Sequence, residues 1–521
     1  MVHARTRHPR RLVAVASVES VYLPARKATT IDPMRALGSG SVSIAGRAFA
    51  NPHEAIRLHN ATFGRMNRLL WAALACTAIA LAQPAETAAD LAARYLPELI
   101  RLDTTNPPGN ETRVARYLKQ VADREGIPAE LLGDNPERLN FVARLRGTGK
   151  QRPLLLIAHS DVVPADRSQW SVDPLAAIEK NGYIYGRGAE DDKQLLAAEL
   201  AVMVDLQRRK VVLDRDIILL SESDEEAGSL GATWIVQHAW AKIDAEFALN
   251  EYSYILPMPS GVPVFQIQTA EKVPTRFIMT ARGTAGHGSL PRDDNPVEHL
   301  ARAIYRLSQA DQPVRLNATT RTYLNAIGKL PDYAWVAPMV AKLDDPATAS
   351  RTAGEIRKRD PEIHAMLRTT VSATMLNAGT KINVIPNTAE AQLDARRLPT
   401  ETREEVFERF RKIIDDPAVT IEATSSQQPS TEPSSLTSPL YLVMEKVFHA
   451  TAPNALVVPF LMRGTTDGAY LRAKGMAVYG VPLFRKDGDL RMHGNDERMS
   501  LDNLRSGTDL LRKIVIEVAK P

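Results

Sequence analysis

The stretch LLLIAHSDVVP at residues 154–164 decides how the chain is read. Four consecutive leucine or isoleucine side chains, Leu154 to Ile157, describe a strand covered on both faces, as in a parallel sheet enclosed by helices. The strand then ends in His159 and Asp161 with only Ser160 between them. Alternate strand residues share a face, so both side chains project the same way. They do so at a carboxyl edge, where open α/β sheets hold their ligands. Alone, such a pair carries little, because polar residues are common at strand ends.

Working outward, residues 217–220 and 247–249 repeat the short apolar strand, and residues 195–206 and 232–239 have helical periodicity. Strand–helix alternation predicts an α/β catalytic domain with a mostly parallel sheet. Near Val273 the texture changes. TRFIMTARG alternates as a strand, NPVEHLARAIYRLSQA is a helix, and TTVSATMLNA and TAEAQLDARRL are two more strands. ETREEVFERFRKII is a second helix and AVTIEAT a last strand. The order βαββαβ predicts an inserted ferredoxin-like α+β lid or dimerisation domain. It is interrupted at about residues 311–368 by a partly helical excursion. After the polar linker SSQQPSTEPSS the α/β pattern resumes. The expected partition is a catalytic domain at 83–274 and 426–521, with the lid at 275–425.

The 521 residues suffice for more than one domain, and 44% apolar with 24% charged residues is ordinary for a globular protein. Met66 opens MNRLLWAALACTAIALAQPA, in which Arg68 precedes an apolar run and Ala80-Leu81-Ala82 precede Gln83. That layout predicts a signal peptide at 66–82, export to the periplasm or medium, and no stable membrane span. Residues 1–65 then read as a non-native upstream extension with Met66 as the start. Cys76, the single cysteine, lies in the segment to be removed, so no disulfide is expected. Residues 1–82 carry +8 against +4 for the whole chain, which leaves −4 for residues 83–521. A mildly acidic protein is a poor nucleic-acid binder.

Three further strand ends are acidic. YGRGAEDDK, residues 185–193, sets Asp191 and Asp192 ahead of a helix. SESDEEAGSLGA follows residue 220 and supplies Asp224, Glu225 and Glu226, while FALNEYS supplies Glu251. Far downstream, RMHGNDERMSLDNL carries His493 in a loop before the last helix. Asp192 and Asp224 fit a simpler role as helix caps. So many carboxylates at one sheet edge are costly unless a cation neutralises them. Imidazole and carboxylate donors without thiolate suit Zn²⁺, with Mn²⁺ or Co²⁺ as alternatives. The donors outnumber the needs of one tetrahedral ion, which suggests two.

Together these motifs resemble one di-zinc amidohydrolase family, that of the aminoacylases, carboxypeptidase S, carboxypeptidase G, carnosine dipeptidases and succinyl-diaminopimelate desuccinylase. The likeness runs in order from about Glu86 to the C-terminus. It implies that His159, Asp191 and Glu251 hold one zinc, that Asp191, Glu226 and His493 hold the other, and that Asp161 orients His159. Glu225 would be the general base toward a metal-bridging water. GTAGHGSLP resembles the loop whose histidine, here His287 between Gly286 and Gly288, polarises the scissile carbonyl, often across a dimer. KINVIPNTAEAQLDARRLP implies substrate contacts from Asn383 and Arg396, with Arg397 a rival, and GTTDGAY implies a backbone contact at Gly464. Tyr252 and Gln194 depart from the small residues common at their positions. The HGNDER ending and the long insertion lean toward the carboxypeptidase S branch, and oligomeric state stays open. The expected activity is that of a metallopeptidase of carboxypeptidase or dipeptidase type. An N-acyl amino acid amidohydrolase is the first alternative, and a non-catalytic metal-containing binding protein the second.

Overall fold

The computed structural model describes residues 86–521 apart from 425–427, 487 and 489. The readings of residues 1–65 and 66–82, Cys76 included, lie outside the described residues.

Edge to edge, the large sheet runs Ala129–Leu132, Asn140–Leu145, Ile217–Glu222, Leu154–His159, Phe247–Asn250, Ala477–Gly480, Pro263–Glu271, Tyr254–Pro257 and Phe484–Arg485, with Leu456–Met462 also paired to Pro263–Glu271. Its centre is parallel: Ile217–Glu222, Leu154–His159, Phe247–Asn250 and Ala477–Gly480 all point one way. All six residues of Leu154–His159 are buried, as the unbroken apolar run predicts. Helices Ala88–Ile100, Lys193–Arg208 and Leu501–Ala519 contribute to the main hydrophobic core around this sheet. Helices Leu230–His238 and Gly468–Ala473 contribute to a second cluster, with Leu155 and Ile157 from the same strand. Leu154, Leu156 and Ala158 belong to the first cluster and Leu155 and Ile157 to the other, so the strand is packed on both faces. Each fully buried leucine there contributes about 1.5–3 kcal/mol of apolar transfer free energy.

Register fixes where chemistry can sit. His159 pairs with Glu222, and Gly480 with Asn250, so the loops that follow leave along one edge. Two glycines make those loops buildable. Gly188 has φ +87°, and a Cβ on Gly231 would lie 2.4 Å from the Ser223 carbonyl oxygen.

The smaller sheet is antiparallel, in the order Thr370–Ala378, Thr388–Arg397, Val273–Arg282, Val419–Ala423. Helices Pro296–Gln309 and Arg403–Ile414 cover it around Phe277, Leu393 and Phe410. This is the βαββαβ order expected from the sequence. The excursion holds helices Ala318–Ile327, Ala337–Asp344, Ala349–Arg359 and Pro361–Leu367. Their apolar faces pack on Val264, Ala270, Val458 and Phe460 of the large sheet, a placement that local periodicity does not encode. At the crossover between sheets Lys272 is fully buried, and its ammonium donates to Ala365 O, Arg368 O and Thr370 Oγ1 at 2.9–3.0 Å. No described helix is long and apolar enough to cross a membrane.

Candidate metal centre

The strand ends bring five of the expected residues together. His159 Nε2 lies 2.9 Å from Asp191 Oδ1 and 4.0 Å from Glu251 Oε2. His493 Nε2 lies 3.2 Å from the other Asp191 oxygen and 3.0 Å from Glu226 Oε1. Asp191 therefore stands between two histidines that are far apart in sequence. Two triplets have donor atoms within ion-binding range of one another: His159, Asp191 and Glu226, and His159, Glu225 and Glu251. Glu225, expected as a base, thus also lies within reach of a shared ion.

Asp161 does more than its spacing suggested. Its Oδ1 is 3.5 Å from His159 Nδ1 and accepts the Glu225 amide at 3.1 Å, while Oδ2 accepts the Glu226 amide at 3.1 Å. The Asp161 carbonyl takes His159 Nδ1 at 3.0 Å, so the residue orients the histidine through its main chain while its carboxylate fixes the backbone of both glutamates. Asn106, to which the sequence reading gave no role, donates Nδ2 to Asp161 Oδ2 at 2.8 Å and to Asp224 Oδ1 at 3.0 Å. Asp224 fits the capping reading in part: its Oδ2 accepts the Leu230 amide at the start of helix Leu230–His238, and Arg138 pairs with its Oδ1 at 2.7 Å. Asp192 does not. It precedes helix Lys193–Arg208, yet its side chain bonds no first-turn amide and instead takes Gln194 Nε2 at 3.2 Å. That helix is buried from Lys193 through Leu206, so its start is packed inside the protein rather than presented to solvent.

The electrostatics of the cluster suit it to cations. Burial pushes the Glu225, Glu251 and Asp192 carboxyls well above the usual range, reinforced by neighbouring carboxylates. Hydrogen bonds to Asp191 and Glu226 push His493 up to about 10. His159 is raised too: burial opposes its charge, but Asp161 and Asp191 outweigh it. Asp191 is held low, its burial overcome by the two histidines. Metal-free, the site gathers protons to offset its negative charge, which a divalent pair would replace. Nitrogen and oxygen donors without sulfur fit Zn²⁺, Mn²⁺ or Co²⁺.

The expected substrate contacts stand apart. His287 is exposed on the short strand Gly286–His287, with Nδ1 2.8 Å from Ser289 Oγ. Asn383 is exposed and its carbonyl accepts the Gly288 amide. Arg396 is held by both oxygens of Asp394, at 2.9 and 3.0 Å. Arg397 is buried and bonds Glu401 O, Gln428 O and Ser430 Oγ. Among the described residues no hydrogen bond or ion pair joins His287, Asn383 or Arg396 to the acidic cluster. Gly464 begins a loop tied to it more closely: Asn250, just before Glu251, donates to Thr466 Oγ1 at 3.1 Å. Asp467 in that loop is fully buried against Glu222 and Ser229, and burial pushes it up to about 7. It belongs to the quoted GTTDGAY motif, but nothing in that motif reveals its burial.

With this geometry in hand, likeness to known proteins is informative. N-fatty-acyl-amino acid synthase/hydrolase PM20D1 of Xenopus tropicalis is 30% identical over 404 residues, 74% of this chain and 76% of the relative. The human PM20D1 is 29% identical over 359 residues, covering 67% and 71%. A probable carboxypeptidase S-like protein of Dictyostelium discoideum is 26% identical over 388 residues, covering 71% and 72%. The fold is shared with the M20 metallo-carboxypeptidase Sso-CP2 of Sulfolobus solfataricus at TM-score 0.61 and 20% identity, covering 82% of this chain and 99% of that one. Human carnosine dipeptidase 1 gives TM-score 0.59 at 18% identity, covering 82% and 96%. Residues 155–517, which span every clustered ligand position, match the model of peptidase family M20/M25/M40, and the chain belongs to that family of metal-dependent amide hydrolases.

Proposed function

We propose that the chain is an exported two-metal hydrolase that cleaves an amide bond beside a free α-carboxylate, in the manner of a carboxypeptidase or dipeptidase. The convergence of His159, Asp191, Glu226, Glu251 and His493 carries this reading. His159, Asp191 and Glu251 would hold one cation, and Asp191, Glu226 and His493 the other. Zn²⁺ is our choice, with Co²⁺ or Mn²⁺ as substitutes. Bound divalent ions supply Lewis acidity toward the carbonyl and lower the pKa of water.

The chain's own groups handle the proton. Glu225 accepts it from the attacking water and returns it to the leaving nitrogen. Asp161 keeps that carboxyl in place through the Glu225 amide. His287 donates to the developing oxyanion once the lid closes, or from the lid of a second copy. The exposed strand Thr370–Ala378 supports pairing of two lids, since it is the sheet's edge and Met375 and Leu376 stand 60% and 67% exposed on it. Asn383, Arg396 and the backbone at Gly464 take the substrate's polar groups. For Arg396 that means competing with Asp394 for the guanidinium. Export rests on residues 66–82 of the sequence.

The PM20D1 relatives, N-fatty-acyl-amino acid synthase/hydrolases by name, favour a second reading, hydrolysis of N-acyl amino acids. Both are tested by incubating metal-loaded protein with C-terminally free dipeptides and with N-acyl amino acids, with and without chelator. Chelator-sensitive release of free amino acid is expected, and the better substrate separates the two. Metal binding without hydrolysis of either panel would indicate a binding protein instead.

A further inference from the structure

His493 has little to hold it. Its side chain is 49% exposed, so packing does not fix the ring. Its φ of +60° is a left-handed conformation that is strained for a non-glycine residue. Yet its ring must meet Asp191 and Glu226. Something in the surrounding structure over-determines that backbone.

We infer that Arg187 and Glu497, a buried pair 310 residues apart, position His493 for the metal shared with Asp191 and Glu226. Arg187 is 3% exposed and Glu497 fully buried. Arg187 Nη1 donates to Glu497 Oε2, and its Nη2 donates to the His493 carbonyl at 3.3 Å. The other Glu497 oxygen accepts the Glu190 amide at 2.7 Å, one residue before Asp191. The Glu497 carbonyl accepts the Gly186 amide at 2.9 Å, and Glu190 Oε2 accepts the Arg491 amide at 2.7 Å. Trp170 stacks its ring 5.2 Å from the guanidinium carbon and closes it from solvent. The guanidinium–carboxylate contact thus adds to the Gly186–Glu497 and Glu190–Arg491 bonds and the pairing of strands Tyr183–Tyr185 and Arg498–Ser500 in joining the loop of the bridging carboxylate to the loop of the exposed histidine, and it is the one that reaches the His493 carbonyl. An arginine suits the task because its fork reaches a carboxylate and a carbonyl at once, which an ammonium cannot do in the same geometry. No equivalent is needed for His159, whose backbone belongs to a central strand.

This inference rests on the two-metal reading, and titration calorimetry separates the two. Metal-stripped wild type, Arg187→Lys and Glu497→Gln are titrated with Zn²⁺, alongside melting of each metal-free protein. Wild type is expected to take two equivalents. Both variants are expected to keep one at wild-type affinity and to bind the other about 10–100-fold more weakly, the usual effect of losing a group that orients a ligand. Glu497→Gln leaves the buried guanidinium without its carboxylate, so its metal-free melting temperature is expected to fall, whereas Arg187→Lys keeps the charge and is expected to fall less. Wild type binding fewer than two equivalents defeats the two-metal reading itself. Two equivalents at wild-type affinity in both variants overturn the positioning role. So does equal weakening of both equivalents, or failure of both variants to fold, since either assigns the pair to general stability.

Discussion

His159 and His493 approach opposite oxygens of Asp191, at 2.9 and 3.2 Å, by different means. His159 ends a central strand, is 1% exposed, and inherits its position from sheet register. His493 stands half exposed in a loop with left-handed backbone and depends on contacts with a distant segment. A central strand fixes a side chain because hydrogen-bonded neighbours on both sides and packing on both faces set its register. A loop has no such constraint and needs explicit bonds. One half of the site is therefore an outcome of the core, and the other is a separate construction laid over it.

The largest expected effect tests the chemistry both halves serve. Glu225→Ala is expected to lower turnover by about 10²–10⁴-fold, the range for loss of a general base, while metal content by atomic absorption stays at wild type. Loss of metal in that variant would make Glu225 a ligand, as its place beside His159 and Glu251 allows.

Histidine removal probes the contrast directly. His159→Ala strips the buried Asp161, Asp191 and Glu251 of their imidazole, and breaking a buried pair costs about 3–5 kcal/mol. His493→Ala removes a half-exposed partner and is expected to cost about 1 kcal/mol or less. Urea unfolding of the metal-free proteins reads both values. Equal losses would erase the distinction between the two halves.

Asp161→Asn sharpens the strand-borne half. The amide keeps the shape and the carbonyl contact with His159 Nδ1 but weakens acceptance from the Glu225 and Glu226 amides. Metal affinity is expected to fall about 10–100-fold, measured by competition with a chromophoric chelator. Unchanged affinity would show that the Asp161 carboxylate orients nothing.

The smallest effect is a proton count. In the metal-free protein His493, pushed up to about 10, is an imidazolium at neutral pH. A ligand must be neutral, so filling that position releases its proton, and affinity there rises with pH until about 10. Calorimetry in two buffers of different ionisation enthalpy reads the release. No buffer dependence would contradict the assignment of His493.

What the sequence disclosed follows the same division. The unbroken apolar run at Leu154, the alternation at Val273 and the acidic strand ends are local signals, and they lead to the large sheet, the four-stranded sheet and the clustered residues. Contacts that span the chain leave no such trace. Asn106 bonds Asp161 and Asp224 across 55 and 118 residues, and Arg187 and Glu497 sit unassigned inside two quoted motifs. Asp192 stands at the cap position but does not cap, because its backbone, φ −129° and ψ 20°, is not the extended conformation that turns an N-cap side chain onto the first-turn amides. The packing of the 318–367 helices on the large sheet is likewise beyond local pattern.

The most direct test of the account is anomalous diffraction at the zinc absorption edge from crystals of zinc-loaded protein. Two peaks about 3.5–4 Å apart are expected, one bounded by His159, Asp191 and Glu251 and the other by Asp191, Glu226 and His493. A single peak, or peaks away from Asp191, would contradict it.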